Sequence, residues 1–508
     1  MRAVLTGLVF AGLACCDELR LSLHDSIHMA ITNNLDVEIA RTDSHIANAN
    51  LWSASGAFDP RLRAQTSVER STTPVGSILE SPRGRVTDRV FGQSLTYQQN
   101  FAWQGLFLDA GIENSRRSTD NPYFSLTPFY SPQLRATVNL PLLRGRRTDE
   151  GRTAILVRRK SRDITAAEFG VRVSAIAYEV ERVYWSLVAA GQDVEVANRS
   201  LERVQRQVSI VGNLVQQGEL AASELRPVEA ALDERRQALK AAGQQQFQGE
   251  TALKELLSRS ADDPIWGSQI TLIDQQPELR SDLETDLRMA GSQRPEVAVL
   301  AARREASRAE IALAADALRP RLDLAVTFRS QSLAGRLSSG PGTLFPVGGE
   351  ISPKLIGGLP RALGQIARVD YPSVQASLTF ELPIRNRKAV GELVEREAQG
   401  RRIGLERDRL LLRFAAEIRR AWNDVAAARE RRQLLARSLE NYHASVESEV
   451  RRLQAGESGN LNVTVRQNDL VAAESRAVNA SQMANEAVAE ARRAAGRYLS
   501  DFGITIAP

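Results

Sequence analysis

Cysteine is nearly absent from this chain. Its 508 residues contain two, Cys15 and Cys16, adjacent near the N-terminus. The remainder has no thiol, which excludes a disulfide framework and any Cys-ligated zinc. Histidine is almost as rare, at four residues. His24 and His28 stand at i,i+4, a spacing able to bind zinc, but no HExxH pattern accompanies them, and they read as an exposed helical pair with no metal. There is no P-loop and no nucleophile elbow. Lone acids such as Glu224 read as surface groups rather than a catalytic pair. No enzyme and no cofactor are expected. Beyond the N-terminus no stretch approaches the ~18 apolar residues of a membrane helix, so any integral membrane contact must come from strands. The net charge of +5 is spread over interspersed acids and bases, as on a solvated face rather than a nucleic-acid surface.

What is present begins with a leader. MRAVLTGLVFAGLACC has a positive Arg2, a short apolar run from Ala3 to Ala14, and small residues suited to cleavage. It reads as a secretory signal over 1–16. Two outcomes stay open: simple cleavage near Ala14, or lipidation of Cys16. LACC resembles a lipoprotein processing site, although Cys15 stands where Gly, Ala or Ser is usual.

The body of the chain is a tandem duplication. WSASGAFDPRLRAQTSVERS around Pro60 is echoed by ALAADALRPRLDLAVTFRS around Pro320. ATVNLPLLRGR from Ala136 is echoed by ASLTFELPIRNR from Ala376, and QQGELAASEL from Gln216 by QAGESGNLNV from Gln454. Each copy switches from helical to strand period and back. The reading is a first repeat at 17–258 with strands within 60–145, and a connecting segment at 259–279. A second repeat follows at 280–500 with strands within 320–384, then a tail at 501–508.

Apolar residues recur at alternating three- and four-residue steps from Val173 through Ile176, Val180, Val183, Leu187 and onward to Val215. The second copy keeps the register from Leu411 to Leu453, broken only by Arg432 and Glu449. This is the a/d seam of a coiled coil or bundle. The helices are expected from near Thr148 and Lys388, each about 100 Å long at the helical rise. They end at Gly218 and Gly456, residues suited to a C-terminal cap. Returning helices are expected from Ser223, as N-cap, to about Arg259, and from Leu461 to Leu499. Single uninterrupted helices are expected over 23–58 and 279–318.

Four strands alternate strictly: 61–69, 134–142, 321–329 and 374–384. One apolar face and about ten residues each fit a transmembrane barrel. Four strands cannot close one, and an open edge in lipid is not viable. The strands must be shared between chains, and three copies give twelve. A further hairpin over 91–114 has no counterpart in the second copy, where 333–370 reads as a Gly/Pro-rich loop. It either joins the barrel or extends it outside the membrane, and the second placement is favoured.

These residues resemble the TolC family of outer-membrane efflux proteins. The carriers are AITNNLDVEIA with GAFDPRL, its echo QRPEVAVLA with LRPRLDL, PLLRG, and the QQGEL and QAGES tips. The resemblance covers about 21–499. It implies a mainly α chain with membrane β: a homotrimer with a long α-helical barrel in the periplasm and a twelve-stranded β-barrel in the outer membrane, four strands per chain. It also implies an equatorial belt at the segment after Arg259. The conduit would be passive, fed by an inner-membrane transporter through a periplasmic adaptor, for efflux or secretion. In the family, gate and adaptor contact lie at the hairpin tips. The matching positions are Gly218, Ser223, Glu224 and Leu225, then Gly456, Leu461, Asn462 and Val463. Asn462 and Val465 stand where well-known members carry aspartates, and Glu219 where an apolar residue often follows the glycine. The alternative reading is a structural coiled-coil tether of the envelope that passes nothing; duplicated amphipathic strands are what a tether does not need.

Lipidation at Cys16 is directly testable. Cys16→Ala should abolish fatty-acid labelling and shift the mature mass, whereas an intact mass showing lipid-free cleavage near Ala14 decides for the other route.

Overall fold

The computed structural model describes residues 18–274, 276–277, 281–338 and 351–505. The leader with Cys15 and Cys16, part of the segment after Arg259, and the last three residues lie outside the described residues. In chain order the elements are β1 (Glu18–Leu21), α1 (Leu23–Asn33), α2 (Leu35–Ser55), β2 (Arg61–Pro74), β3 (Arg85–Asn100), β4 (Phe107–Thr119), β5 (Leu126–Tyr130) and β6 (Gln133–Pro141). The long helix α3 (Glu150–Gln216) follows, then α4 (Leu225–Leu257), β7 (Gln269–Leu272), α5 (Leu283–Gln293), α6 (Pro295–Asp316), β8 (Arg321–Gln331) and β9 (Ala334–Leu337). The chain continues through α7 (Leu359–Ala367), β10 (Pro372–Glu381), α8 (Arg387–Gln454), α9 (Asn460–Ala495) and α10 (Tyr498–Asp501). They form two compact units. One comprises the described residues of Met1–Ile46 with Asp163–Ala302 and Gly404–Pro508; the other comprises Ala47–Arg162 and Arg303–Ile403.

The first unit is helical. The seam residues Val173, Ile176, Val180, Leu187, Val204 and Val211 of α3 are buried, as are Phe414, Ile418, Ala421 and Val425 of α8. Helix α3 buries more than its a/d stripe: Ala177, Tyr184, Trp185, Ala189 and Val196 flank it and are also buried. The reason is a second layer. β1 pairs in parallel with β7, and α1, α3, α4, β7 and the C-terminal residues share one apolar cluster that includes Ile27, Tyr184, Leu253, Tyr498 and Phe502. The tail expected from 501 is therefore packed through Ile504.

Two interruptions were not legible as breaks. The expected helix over 23–58 is divided at Asn34, and that over 279–318 at Arg294, at equivalent positions of the two repeats. Asn34 leaves the helical region; its side-chain oxygen caps α2 by accepting from Asp36 N at 2.8 Å, and its amide donates to Leu256 O at 3.2 Å. At Arg294 the following proline excludes helical backbone. The guanidinium then bonds Glu296 at 2.6 Å and Glu417 at 3.1 Å and lies 3.5 Å from the Phe414 ring centroid.

A buried polar network ties the end of the second repeat to α3. Glu181 has no solvent exposure, and both its oxygens accept from Arg492 at 2.6 Å. Tyr498 Oη donates to Glu181 at 2.7 Å, and Trp185 Nε1 donates to the same carboxylate at 3.3 Å. Burial, reinforced by the Glu181 charge, pushes the Tyr498 phenol well above its ordinary value. Burial likewise pushes Tyr184 up to about 12; its hydroxyl donates to Leu21 O at 3.2 Å.

The second unit holds the sheet. The four expected strands are β2, β6, β8 and β10, and all lie in one antiparallel sheet. The sheet holds more than these four, because its path runs β10-β8-β6-β4-β3-β2. The hairpin expected to extend the sheet outside the membrane is β3 and β4, inserted between β2 and β6. Arg61 to Pro74 ladders against Gln98 to Arg85, and Asp88 to Asn100 against Thr119 to Phe107. Leu95 stands opposite Ala64 on one side and Ile112 on the other, so the insertion continues the apolar face through Leu95, Tyr97, Ala110 and Ile112. The loop expected over 333–370 contains β9, which pairs with β5, and the short helix α7.

Glu181→Gln should leave Arg492 short of a buried countercharge. A loss of about 3 kcal/mol, on the scale of broken buried pairs, is expected in denaturant unfolding of the solubilised protein, with assembly at low denaturant unchanged. An unaltered midpoint would show that Asp501, 3.2 Å from Arg492, suffices alone.

Candidate functional site: the hairpin tips and the polar face of the sheet

Both long helices stop in the same way. After α3, Gly218 takes φ +76°, its N–H donates to Val215 O at 3.1 Å, and Glu219 N–H donates to Leu214 O at 2.9 Å. After α8, Gly456 takes φ +74°, with Gly456 N–H to Leu453 O at 3.0 Å and Glu457 N–H to Arg452 O at 2.9 Å. Each pair of bonds is a Schellman motif, which uses a left-handed residue to satisfy the last carbonyls. Glycine adopts that backbone without a Cβ penalty.

Returning helix α4 begins at Leu225, after a single 3-10 turn over Ala222–Glu224. Ser223 is therefore not the N-cap of the helix. Ser223 and Glu224 are exposed and Leu225 is half-buried. On the second tip Leu461 is 74% exposed and Asn462 is exposed. Asn462 Nδ2 donates to Ser458 Oγ at 3.2 Å. Val463, grouped with them in sequence, is 1% exposed and belongs to the packing. Sequence reading also missed what joins the two hairpins. Gln207 of α3 donates to Asn460 and Thr464 of α9, and Arg203 bonds Glu474, a 3% exposed carboxylate, at 2.7 Å. Buried polar residues off the a/d stripe were the available signal. Glu449, which breaks the seam, accepts from Ser458 inside the turn.

The sheet presents a second surface. On its polar face Arg135 lies 3.3 Å from Asp109 and 3.8 Å from Glu113, Gln98 Nε2 donates to Asp109 at 2.8 Å, and the Thr137 and Thr327 hydroxyls are 3.1 Å apart. A hollow of about 520 Å³ opens on this face, lined among others by Gln65, Ser67, Ser94, Glu113, Gln133 and Gln331. The other face exposes Leu62, Val68, Leu95, Val374, Leu378 and Phe380. Such a division suits lipid on one side and water on the other. No helix among the described residues is long and apolar enough to cross a membrane. Nor do three His, Cys, Asp or Glu side chains among them gather as metal ligands.

Paired long hairpins and a one-sided antiparallel sheet make up a TolC-like fold. Residues 287–497 match the family model described as outer membrane efflux protein. Among solved structures it is similar to the CmeC outer membrane channel of Campylobacter jejuni, at 15% identity and a TM-score of 0.65, covering 93% of this chain and 85% of that one. It is similar to VceC of Vibrio cholerae at 15% identity and a TM-score of 0.64, covering 93% and 96%. It is also similar to the open state of the MtrE outer membrane channel of Neisseria gonorrhoeae, at 15% identity and a TM-score of 0.59, covering 93% and 88%. No curated protein matches. These three neighbours are described as outer membrane channels or an outer membrane protein.

The link between hairpins can be probed apart from any transport. Arg203→Met should strand the buried Glu474 carboxylate, with the His443 ring 3.9 Å away. Amide exchange within 200–216 and 460–474 is expected to accelerate about a hundredfold, the equivalent of roughly 3 kcal/mol, while 170–190 stays protected.

Proposed function

We propose that this chain is an efflux channel subunit of the outer membrane that works as a homotrimer, forming a passive conduit from the periplasm through that membrane. Cargo is delivered by an inner-membrane transporter through a periplasmic adaptor. The observation that carries the reading is the pairing of two structures in one chain. A sheet apolar on one face with unpaired outer strands needs lipid and further copies. Two long hairpins with a conserved register of buried seams supply the walls of a helical passage. An envelope tether accounts for the hairpins but leaves the sheet without a use.

The tips are assigned the gate and the adaptor-docking end. Gly218 and Gly456 make the reversals, while Ser223, Glu224, Leu461 and Asn462 offer exposed side chains. Leu225 and Val463 support them from within. At the second tip Asn462 and Val465 stand in place of aspartates, so closure there draws on packing and amide contacts beside the exposed Glu457.

Ser223→Arg combined with Glu224→Arg changes exposed groups only. Native mass measurement should still find a trimer in detergent. Cross-linking to the adaptor and export should fall at least tenfold. Full export with normal cross-linking would remove the tips from the mechanism, and a stable folded monomer would remove the conduit.

A further inference from the structure

We infer that the outer-membrane barrel of this protein has eighteen strands, six from each of three copies, closed by pairing of β10 in one copy with β2 in the next. The inference rests on the trimeric conduit proposed above and adds the strand number, the interface and the width of the outlet.

The hairpin β3–β4 behaves as part of the membrane wall in three ways. Its strands run the full height of the sheet. The turn between them sits at the end where β2 begins and β6 finishes: Asn100 Nδ2 donates to Ala57 O at 3.3 Å, and Arg146 Nε donates to Gln104 Oε1 at 3.2 Å. A Cβ on Gly105, whose φ is +69°, would lie 2.7 Å from Gly145 O, so the turn is pressed against the segment that follows β6. Trp103 in this turn is 64% exposed, as suits an aromatic at a membrane interface.

The apolar face also crosses the hairpin at the end near its turn, while Gln93, Asn114 and Arg116 share that face farther along the strands. One transverse row reads Leu62, Tyr97, Ala110, Ala136, Phe328, Val374, from β2 to β10. The polar face does the same in the row Arg61, Gln98, Asp109, Thr137, Thr327, Gln375. A hairpin standing in water outside the bilayer has no need to continue both faces in register.

The third point is direction. Successive strands on the path are antiparallel throughout. With six of them, β2 and β10 are the outer strands and run in opposite senses, so β10 of one copy meets β2 of the next antiparallel. Both outer strands are exposed along almost their whole length. In hydrocarbon every unpaired N–H and C=O costs several kcal/mol. A second copy of this chain is the partner that covers one edge while presenting the same edge again, until the ring closes. Barrel diameter grows about linearly with strand number, so eighteen strands give an outlet roughly half as wide again as twelve.

The test is a reconstruction of the full-length trimer in lipid nanodiscs at a resolution that separates strands. Eighteen strands are expected. Twelve, with β3 and β4 projecting from the membrane, would overturn the inference while leaving the trimeric conduit intact; absence of a trimer would instead strike the proposed function. Cysteine substitutions give an independent reading in a body otherwise free of thiols after Cys16. Ser94→Cys and Thr137→Cys should react with a membrane-impermeant maleimide, and Leu95→Cys and Ile112→Cys only with a lipid-soluble one, at least tenfold apart. Equal labelling of Leu95→Cys by both reagents would place the hairpin in water. Removing residues 85–119 should return a four-stranded protomer and a twelve-stranded trimer, with a smaller polymer excluded from the outer mouth. An unchanged exclusion limit would count against the hairpin as wall.

Discussion

A backbone that enters hydrocarbon must satisfy its own hydrogen bonds. Helices do this locally, and this chain has no apolar helix of the needed length among its described residues. A sheet placed in the membrane, as proposed for this chain, has to close, and a single copy does not close it. That placement accounts for the exposed outer strands, the further copies proposed, and the alternation that keeps Arg135, Asp109 and Glu113 on the polar face.

The helical unit solves a different problem. A coiled-coil seam buries apolar side chains in a narrow stripe, which suffices near the tips but gives little to anchor the hairpins elsewhere. There the chain widens the contact. Ala177, Trp185 and Tyr184 extend burial beyond the seam, β1 and β7 form a small parallel sheet, and Glu181 gathers Arg492, Tyr498 and Trp185 into a satisfied buried cluster. A buried ion pair is weak evidence for net stability, but it is selective. Glu181 accepts bonds from a helix of the other repeat and from the residues after it, which fixes how the two repeats meet within this unit.

The tips combine rigidity and exposure. Schellman turns at Gly218 and Gly456 end the helices without loose carbonyls, and Gln207, Asn460, Arg203 and Glu474 bind one hairpin to the other. Ser223, Glu224, Leu461 and Asn462 remain outside this network's buried part. An end built in this way can meet a partner without first ordering itself, which lowers the entropic cost of docking.

Much of the molecule was legible from local pattern. The duplication, the a/d stripe from Val173 to Val215, the capping glycines and the four alternating strands each depend on neighbours a few residues away, and the periods 3.6 and 2 report them directly. What tertiary structure decided involves partners far apart in the chain. Period 2 marks β3 and β4 as strands but does not say which neighbours they take, because any strand with a matching apolar face pairs without penalty; their insertion between β2 and β6 raised four strands to six. Asn34 divides a helix through a bond to a carbonyl more than two hundred residues away. Val463 and Asn462 are adjacent at a turn, yet one is buried and the other exposed, because a helix alone does not reveal which of its faces another helix will cover. Sequence by itself determined the periods, the repeats and the turns; only the fold determined the pairings, since the free energy of a pairing belongs to two segments and is written in neither one.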